Sequence, residues 1–473
     1  MPNPAFLDDL PTLDDKLNWN SELDRLSQHI QQCPAPHVLG IHGDWGSGKT
    51  SFMRQLQWRL GGEPPHKDGS VFCPENFKLS EPQEALQKEI ATIWFDAWRY
   101  QNEPVPVVAL LQEMRRQMAA IPAVVEKFKK FGTIALRYTL DSLADVGKAI
   151  GFEGLPSAEK IEKLGERWEK EHHAQGLPTD SIRSHLHETI KCLLPDSKVA
   201  RVVVFIDDLD RCNPKAAFRL LEGLKIYLSI PNCVFVLGMN ERILIDAIRE
   251  EVSAPKDTSV DELKLRASHY LEKICTDIHR LSLPSKPDEL LTGWFRDAEQ
   301  RQALLVAMAD VCCLPPNPRR LKALANQWAR FAACVPFPTE DQQRNVWAVR
   351  VLVATYIHQF HRDLWERWCF NEEFWNEIKA WCMGEREKPS SESSQSSTAE
   401  KIALRGPEWA GALKLIDKVV DSGDSQSPPI WKPGFVNPGD IEIFWISSLI
   451  RTHADFLVAS DFVPLLKGSG ATL

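Results

Sequence analysis

The residues of this chain best suited to hold an anion stand together between positions 43 and 51. The glycines of this segment accept backbone angles that other residues avoid, so successive N–H groups can turn toward phosphate oxygens. The lysine can reach terminal phosphates, and the threonine hydroxyl can ligate Mg²⁺. The alternative is a chance glycine-rich turn. We expect a phosphate-binding P-loop (residues 43–50) whose nucleotide contacts, including one further serine, are Gly43, Asp44, Trp45, Gly46, Ser47, Gly48, Lys49, Thr50 and Ser51.

A second group of chemically capable residues follows the apolar run 201–206. Carboxylates at the end of a buried parallel strand are typical of a Walker B motif, in which Asp207 holds Mg²⁺, through water. Asp208 is then placed to orient or deprotonate the attacking water, and Asp210 is its rival for that role. The alternative is that Asp208 or Asp210 merely begins a turn or caps a helix.

A polar residue also ends the apolar run 233–239. Asn240 in that position can hydrogen-bond a γ-phosphate and the lytic water without adding charge. An N-cap for the helix beginning at Glu241 explains the same residue equally well.

Two arginines follow a proline that is typical of the start of a helix. Because the helix dipole disfavours cations in the first turn, Arg319 and Arg320 require an anionic partner, and a γ-phosphate would serve. Arg211 competes for this arginine-finger role. A solvated pair, or pairing with Asp or Glu, is the alternative.

The elements that must position these groups form an α/β fold. Apolar runs predict parallel strands, and we expect the carboxyl ends of those strands to meet at one edge of a sheet. A helix follows the P-loop over 50–56. The predicted strands cover 38–42, 90–100, 201–208 and 233–240. In the second of these we expect Trp94, Trp98 and Tyr100 to be packing residues.

These motifs together resemble the KAP family of P-loop NTPases, over roughly residues 12 to 330. The P-loop and Walker B motif alone are generic, whereas the tryptophan and arginine strand and the Asp-Asp-Leu-Asp-Arg run are more specific. The matching segments are 43–50, 94–100, 206–211, 270–274 and 317–322.

The resemblance implies a soluble ATPase that uses ATP with Mg²⁺, of a type often found in prokaryotic mobile-element and anti-phage systems. We also expect partners, either in a homo-oligomer or in a complex with an effector protein. Many members carry membrane helices between the two Walker motifs, but here residues 101–200 are charged. A nucleotide-gated scaffold with negligible turnover is the main alternative, and a small-molecule kinase is a third.

Composition limits the remaining functions. The net charge of −9 leaves nucleic-acid binding possible but unsupported. The 11 cysteines show no spacing suited to zinc, and no leader is evident, so we expect a cytoplasmic protein. His358 and His361 make a weak metal pair, for which packing is the preferred interpretation. The sequence has no run of 18 apolar residues, so we predict no membrane span.

Composition shifts along the chain predict seven regions. The P-loop NTPase parallel sheet is interrupted by a helical insertion and is followed by a helical lid and a mostly helical C-terminal region. Tryptophans in the region after the lid favour core packing, although some could anchor a partner. The regions are 1–100 (first core part with an N-terminal segment), 101–199 (helical insertion), 200–255 (second core part), 256–335 (helical lid), 336–388 (Trp-rich helices), 389–403 (disordered linker) and 404–473 (C-terminal module).

Overall fold

The structure is a computed structural model, and it divides the chain into two compact units. One unit is Leu10–Ser282; the other joins Met1–Asp9 to Leu283–Leu473. The predicted linker and most of the predicted insertion lie outside the described residues. Those residues are 7–63, 70–73, 80–103, 106–118, 200–227, 232–251, 259–282, 284, 286–295, 297–308, 314, 317–383, 447 and 449–468.

The first unit is built on a parallel sheet of five described strands, in the order β2-β3-β4-β1-β5. This confirms the predicted α/β fold. The strand β4 separates β1, which leads into the P-loop, from β3, which ends in the Walker B aspartate. The strands are β1 (His37–His42), β2 (Ile90–Asp96), β3 (Arg201–Asp207), β4 (Cys233–Met239) and β5 (Asp277–Arg280).

Helices cover both faces of this sheet, which explains why β3 and β4 are buried along their whole length. Alternate residues of β3 point to opposite faces. Val204 packs into a cluster that includes Leu221, while Phe205 packs into another that includes Phe52. The helices of this unit are α1 (Asn20–Gln32), α2 (Lys49–Arg59), α3 (Glu81–Gln87), α4 (Pro106–Met118), α5 (Pro214–Tyr227), α6 (Glu241–Glu251) and α7 (Val260–Ile274).

Two strand predictions require correction. The strand β2 ends at Asp96, and Trp98–Tyr100 form a 3₁₀ turn instead of continuing it. Trp98 is consequently 48% exposed and is not a packing residue. Within 256–335, where we expected helices, β5 pairs with β1 at the edge of the sheet. Its sequence, Asp-Ile-His-Arg, lacks the apolar run that identifies the inner strands.

The second unit is helical among its described residues. Its core contains the tryptophan-rich region, in which Trp347, Trp365, Trp368 and Trp375 are all buried. Phe462, which follows the Trp-rich region in sequence, inserts into the same core. The helices are α8 (Pro287–Thr292), α9 (Ala298–Met308), α10 (Pro318–Ala332), α11 (Asp341–Phe360), α12 (Arg362–Phe370), α13 (Phe374–Met383) and α14 (Val463–Gly468).

The histidines that we considered as a weak metal pair belong to this core. His358 packs edge-on against Phe331 and Trp365, and His361 is buried at the start of α12. None of the helices in the described ranges has both the length and the apolarity needed to cross a bilayer.

Candidate functional site

The P-loop joins the end of β1 to the start of α2. Gly46 and Gly48 adopt left-handed backbone angles, with φ of 83° and 97°, which favour glycine. Gly43 is required for space instead, because a Cβ there would lie 2.5 Å from Ser47 Oγ. The Gly43 N–H donates to the Met239 carbonyl of β4 at 3.2 Å, which anchors the loop to the sheet.

The Lys49 side chain is buried inside the loop that precedes it. Its ammonium donates to the carbonyl oxygens of Gly43 (2.8 Å) and Asp44 (3.3 Å). It also forms an ion pair with the Asp210 carboxylate at 3.2 Å. The lysine therefore connects the P-loop to the segment that follows β3.

Thr50 and Asp207 form the direct link between the two predicted motifs. The Thr50 hydroxyl donates a 2.7 Å hydrogen bond to Oδ2 of Asp207. Burial raises the pKa of Asp207, while the Thr50 hydrogen bond and the charge of Lys49 oppose that rise. The two residues that we expected to hold Mg²⁺ thus lie in contact.

Asp208 follows immediately, in the left-handed conformation with φ of 58°. Burial, followed by the negative charge of Asp207, raises the pKa of its carboxyl to about 7. The Arg211 guanidinium opposes this through an ion pair at 3.0 Å, and it also lies over the Trp98 ring. The described partner of Arg211 is therefore Asp208, the predicted base.

Asn240 lies where β4 ends, between β1 and β3. Its amide Nδ2 donates to Oδ1 of Asp44 in the P-loop at 3.1 Å. Its Oδ1 accepts from the N–H of Arg242 at the start of α6. Asn240 therefore makes contacts that fit both interpretations. It caps a helix, and it also reaches the phosphate-binding loop.

Two buried oxygen atoms at this site are suited to ligands. Ser47 Oγ and Asp207 Oδ1 have no hydrogen-bond partner of acceptable geometry in the described part of the chain. The second faces Gly238 of β4, where a Cβ would lie only 2.7 Å from it. Because hydroxyl and carboxylate oxygens are the donors that Mg²⁺ prefers, Thr50 and Asp207 fit the metal.

Two contributors to the site were missed from sequence alone. Gly238 leaves space beside Asp207, and Arg54 lies one turn after Thr50 on α2. Arg54 is buried, its guanidinium carbon sits 3.4 Å from the Trp94 ring centroid, and its charge opposes the rise in the pKa of Asp207. The spacing of four residues from Thr50 was the available signal for Arg54.

The remaining loop residues face outward or toward the N-terminal segment. Trp45 is 68% exposed. The Ser51 hydroxyl oxygen accepts a hydrogen bond from the Thr12 N–H at 3.1 Å. Behind the loop, Trp19 is buried against Phe52, and a Cβ at Gly48 would lie 2.7 Å from its ring.

Arg319 and Arg320 belong to the second unit, in the first turn of α10 as predicted. Arg319 forms a 2.7 Å ion pair with Asp9, which supplies the expected anionic partner from within this unit. Arg320 lies over the Phe360 ring, and burial lowers its pKa. Their role as arginine fingers stays a prediction.

Comparison with known protein families gives a match that covers most of the first unit. A sequence profile described as the KAP family P-loop domain matches residues 20–291, which is more than half of the chain. No curated protein sequence matches the chain significantly. The matched range includes the P-loop, all five described strands and Asn240.

Proposed function

Because this chain belongs to the KAP family of P-loop NTPases, a nucleotide-binding family, we propose that it binds ATP with Mg²⁺ and hydrolyses it slowly to control assembly with partner proteins. The observation that carries this proposal is the 2.7 Å hydrogen bond between Thr50 and Asp207, since it joins the two halves of a metal site. A role in anti-phage or mobile-element systems stays a prediction from the family resemblance.

Binding rests on the chain's own donors. The backbone N–H groups in the first turn of α2, which have no acceptor within the helix, can donate to phosphate together with Ser47 Oγ and the Lys49 ammonium. Thr50 and Asp207 would hold Mg²⁺, which supplies charge neutralisation when bound. Lys49 exchanges the Asp210 carboxylate for a phosphate oxygen as its anionic partner.

Hydrolysis rests on Asp208 and Asn240. A carboxyl that titrates close to neutral pH suits a general base, because it is substantially ionised yet still basic enough to take a proton from water. Arg211 orients this carboxylate through its ion pair. Asn240, held against Asp44, is positioned to orient water by hydrogen bonding without adding charge.

A nucleotide-gated scaffold is the second candidate function. The buried tryptophans of the second unit do not support it as partner anchors. The observation that does favour it is exposed aromatic surface on the nucleotide-binding elements themselves, at Trp45 in the P-loop and Trp98 just after β2. Tryptophan is enriched among residues that dominate protein interfaces.

Phosphate release and ATP binding by the full-length protein separate these functions. We expect Lys49→Ala to lose ATP binding. Asp208→Asn should retain binding and lose about 100-fold or more of turnover. Asp246→Asn is the matched control, because this exposed carboxylate pairs with Arg249 on α6 and lies outside the site.

Undiminished Mg²⁺-ATP binding by Lys49→Ala would show that the site assignment is wrong. Wild-type turnover at background, unchanged by Asp208→Asn, supports the scaffold.

The arginines of α10 are the candidates for an arginine finger in this reaction. We propose that Arg319 or Arg320 stabilises the transferring phosphate, from the same chain or from a neighbouring subunit. Mass photometry with a non-hydrolysable ATP analogue distinguishes the two cases, since nucleotide-dependent assembly supports a contribution between subunits. Arg319→Ala should reduce turnover while leaving ATP binding intact. Equal turnover in Arg319→Ala, Arg320→Ala and wild type would exclude this role.

A further inference from the structure

A cluster of metal-ligating side chains lies at the opposite end of β1 from the P-loop. His29 is in the last turn of α1, Cys33 caps the end of that helix, and His37 begins β1. One ligand atom from each residue lies within 4.8 Å of the others. Cys33 and His37 are buried, and His29 is half-buried.

The chain geometry explains why these three side chains converge. His29 and Cys33 are four residues apart and therefore share one face of α1. The backbone N–H of Cys33 donates to the His29 carbonyl, which continues the helix to its cap. The chain then turns into β1 and brings His37 back against His29. Ligands that span a helix end in this way do not form a familiar zinc spacing, so the sequence alone did not reveal them.

The distance between the two imidazoles suits a tetrahedral ion. Nε2 of His29 lies 3.3 Å from Nε2 of His37. Two imidazole nitrogens on a tetrahedral zinc are about 3.3–3.4 Å apart, given bonds of about 2.0–2.1 Å. The same distance also fits a hydrogen bond between the two rings. The Cys33 thiol donates to the Ile30 carbonyl at 3.7 Å, and as a thiolate it would add a third donor that a histidine pair alone does not supply.

We propose that His29, Cys33 and His37 bind a divalent cation of the zinc class, with three protein ligands and one position left for solvent. Two imidazoles and one thiolate form a donor set that selects borderline and soft cations over Mg²⁺. This site is chemically distinct from the Thr50 and Asp207 pair, which offers oxygen atoms alone.

Arg201 contacts the cysteine of this site. It is the first residue of β3, and its guanidinium donates to the Cys33 carbonyl at 3.1 Å and lies 3.7 Å from Sγ. A hydrogen-bond donor stabilises a thiolate and orients it toward a cation, while the positive charge of the donor weakens cation affinity. A bound ion would tie the end of α1 to the start of β1 and, through Arg201, to β3.

Cobalt titration of the chelator-treated full-length protein tests this proposal. We expect one equivalent of Co²⁺ to give a thiolate-to-cobalt charge-transfer band, and Zn²⁺ to displace it. Cys33→Ser should abolish the band, whereas Cys369→Ser, a thiol in the second unit, should preserve it. His29→Gln, at the half-exposed ligand, should fold and bind at least about tenfold more weakly.

Three results would overturn the assignment. Absence of the charge-transfer band in wild-type protein would leave only a hydrogen-bonded histidine pair. Persistence of the band in Cys33→Ser would assign it to another cysteine. Unchanged affinity in His29→Gln would remove that histidine from the ligand set. Circular dichroism and the thermal unfolding temperature of each variant, measured without metal, establish that a lost band does not reflect a failure to fold.

Discussion

Lys49 and Asp210 form an ion pair in which the ammonium nitrogen and the carboxylate Oδ2 are 3.2 Å apart and both side chains are almost fully buried. A lysine held in this way is already neutralised by its own chain. Phosphate must therefore compete with an internal carboxylate for Lys49, in addition to the carbonyl oxygens of Gly43 and Asp44. The strength of nucleotide binding depends on this exchange.

Removing the Asp210 charge should destabilise the nucleotide-free protein and increase the stabilisation that ATP binding provides. Asp210→Asn leaves Lys49 buried without its carboxylate, which we expect to lower the free energy of unfolding by about 3 kcal/mol. Because ATP then restores the missing anion, its stabilising effect should exceed that in wild type. Urea unfolding with and without Mg²⁺-ATP measures both quantities. Asp246→Asn should change stability by less than about 0.5 kcal/mol. Equal ATP stabilisation of Asp210→Asn and wild type would contradict the proposed exchange.

Gly238 should determine how ATP binding depends on the Mg²⁺ concentration, without contacting phosphate. The Cβ in Gly238→Ala would lie 2.7 Å from Asp207 Oδ1 and 2.6 Å from Met53 Sδ, so these groups must move. We expect ATP binding to need a higher Mg²⁺ concentration, while ATP binding in EDTA is little changed. Calorimetric titrations at several Mg²⁺ concentrations measure this separation. An unchanged Mg²⁺ dependence would show that Oδ1 takes no part in the metal site.

The C-terminal segment should be required for the stability of the second unit. Phe462 is fully buried, with ring centroids 4.7 Å from Trp368 and 4.5 Å from Trp375. Phe462→Ala should cost about 3–5 kcal/mol through lost burial and the cavity that remains. Phe370, which is 72% exposed, provides the control, since Phe370→Ala should cost little. Tryptophan fluorescence during urea unfolding reports on this core, and similar midpoints for the two variants would contradict the packing.

Acid should destabilise the second unit through His358. Burial, together with the charges of Arg330 and Arg362, lowers the pKa of this imidazole below its ordinary value of 6.5. The unfolded chain therefore binds a proton that the folded chain excludes, so stability is fully present above pH 6.5 and falls as the pH drops below it. His358→Gln should flatten this loss, measured by urea unfolding between about pH 7.5 and 5.

The exposed His269 provides the control for that pH dependence. His269→Gln should keep the wild-type profile, because this exposed side chain lies on α7 of the first unit, outside the core that surrounds His358. If His358→Gln shows the full wild-type acid sensitivity, another group is responsible for it.

Local pattern was sufficient to predict the elements that carry the site. The glycines of the P-loop and the apolar runs of β1, β3 and β4 are recognisable from sequence, because the residue types that define each one fall within a window of fewer than ten residues. The edge strand β5 has no such pattern, and its pairing with β1 depends on chain brought from elsewhere. Sequence alone cannot reveal such a strand.

Pairings between distant side chains were equally beyond local pattern. The helix dipole predicted an anion for the arginines of α10, but not that Asp9, 310 residues earlier than Arg319, provides one. Lys49 and Asp210 were each predicted at the site, yet their ion pair depends on the close approach of two segments. The His29, Cys33 and His37 cluster depends in the same way on the turn between α1 and β1.

The pairing of β2 with β3 fixes the position of the Walker B aspartate. The two strands are in register from Ile90 and Arg201 through Asp96 and Asp207, and the Ala97 N–H donates to the Asp207 carbonyl. The ladder itself therefore aligns Asp207, whatever the length of chain that joins Met118 to Ala200. A register shift of one residue would turn the Asp207 side chain to the other face of the sheet, away from Thr50, so the metal site depends on this strand pairing as much as on the carboxylate.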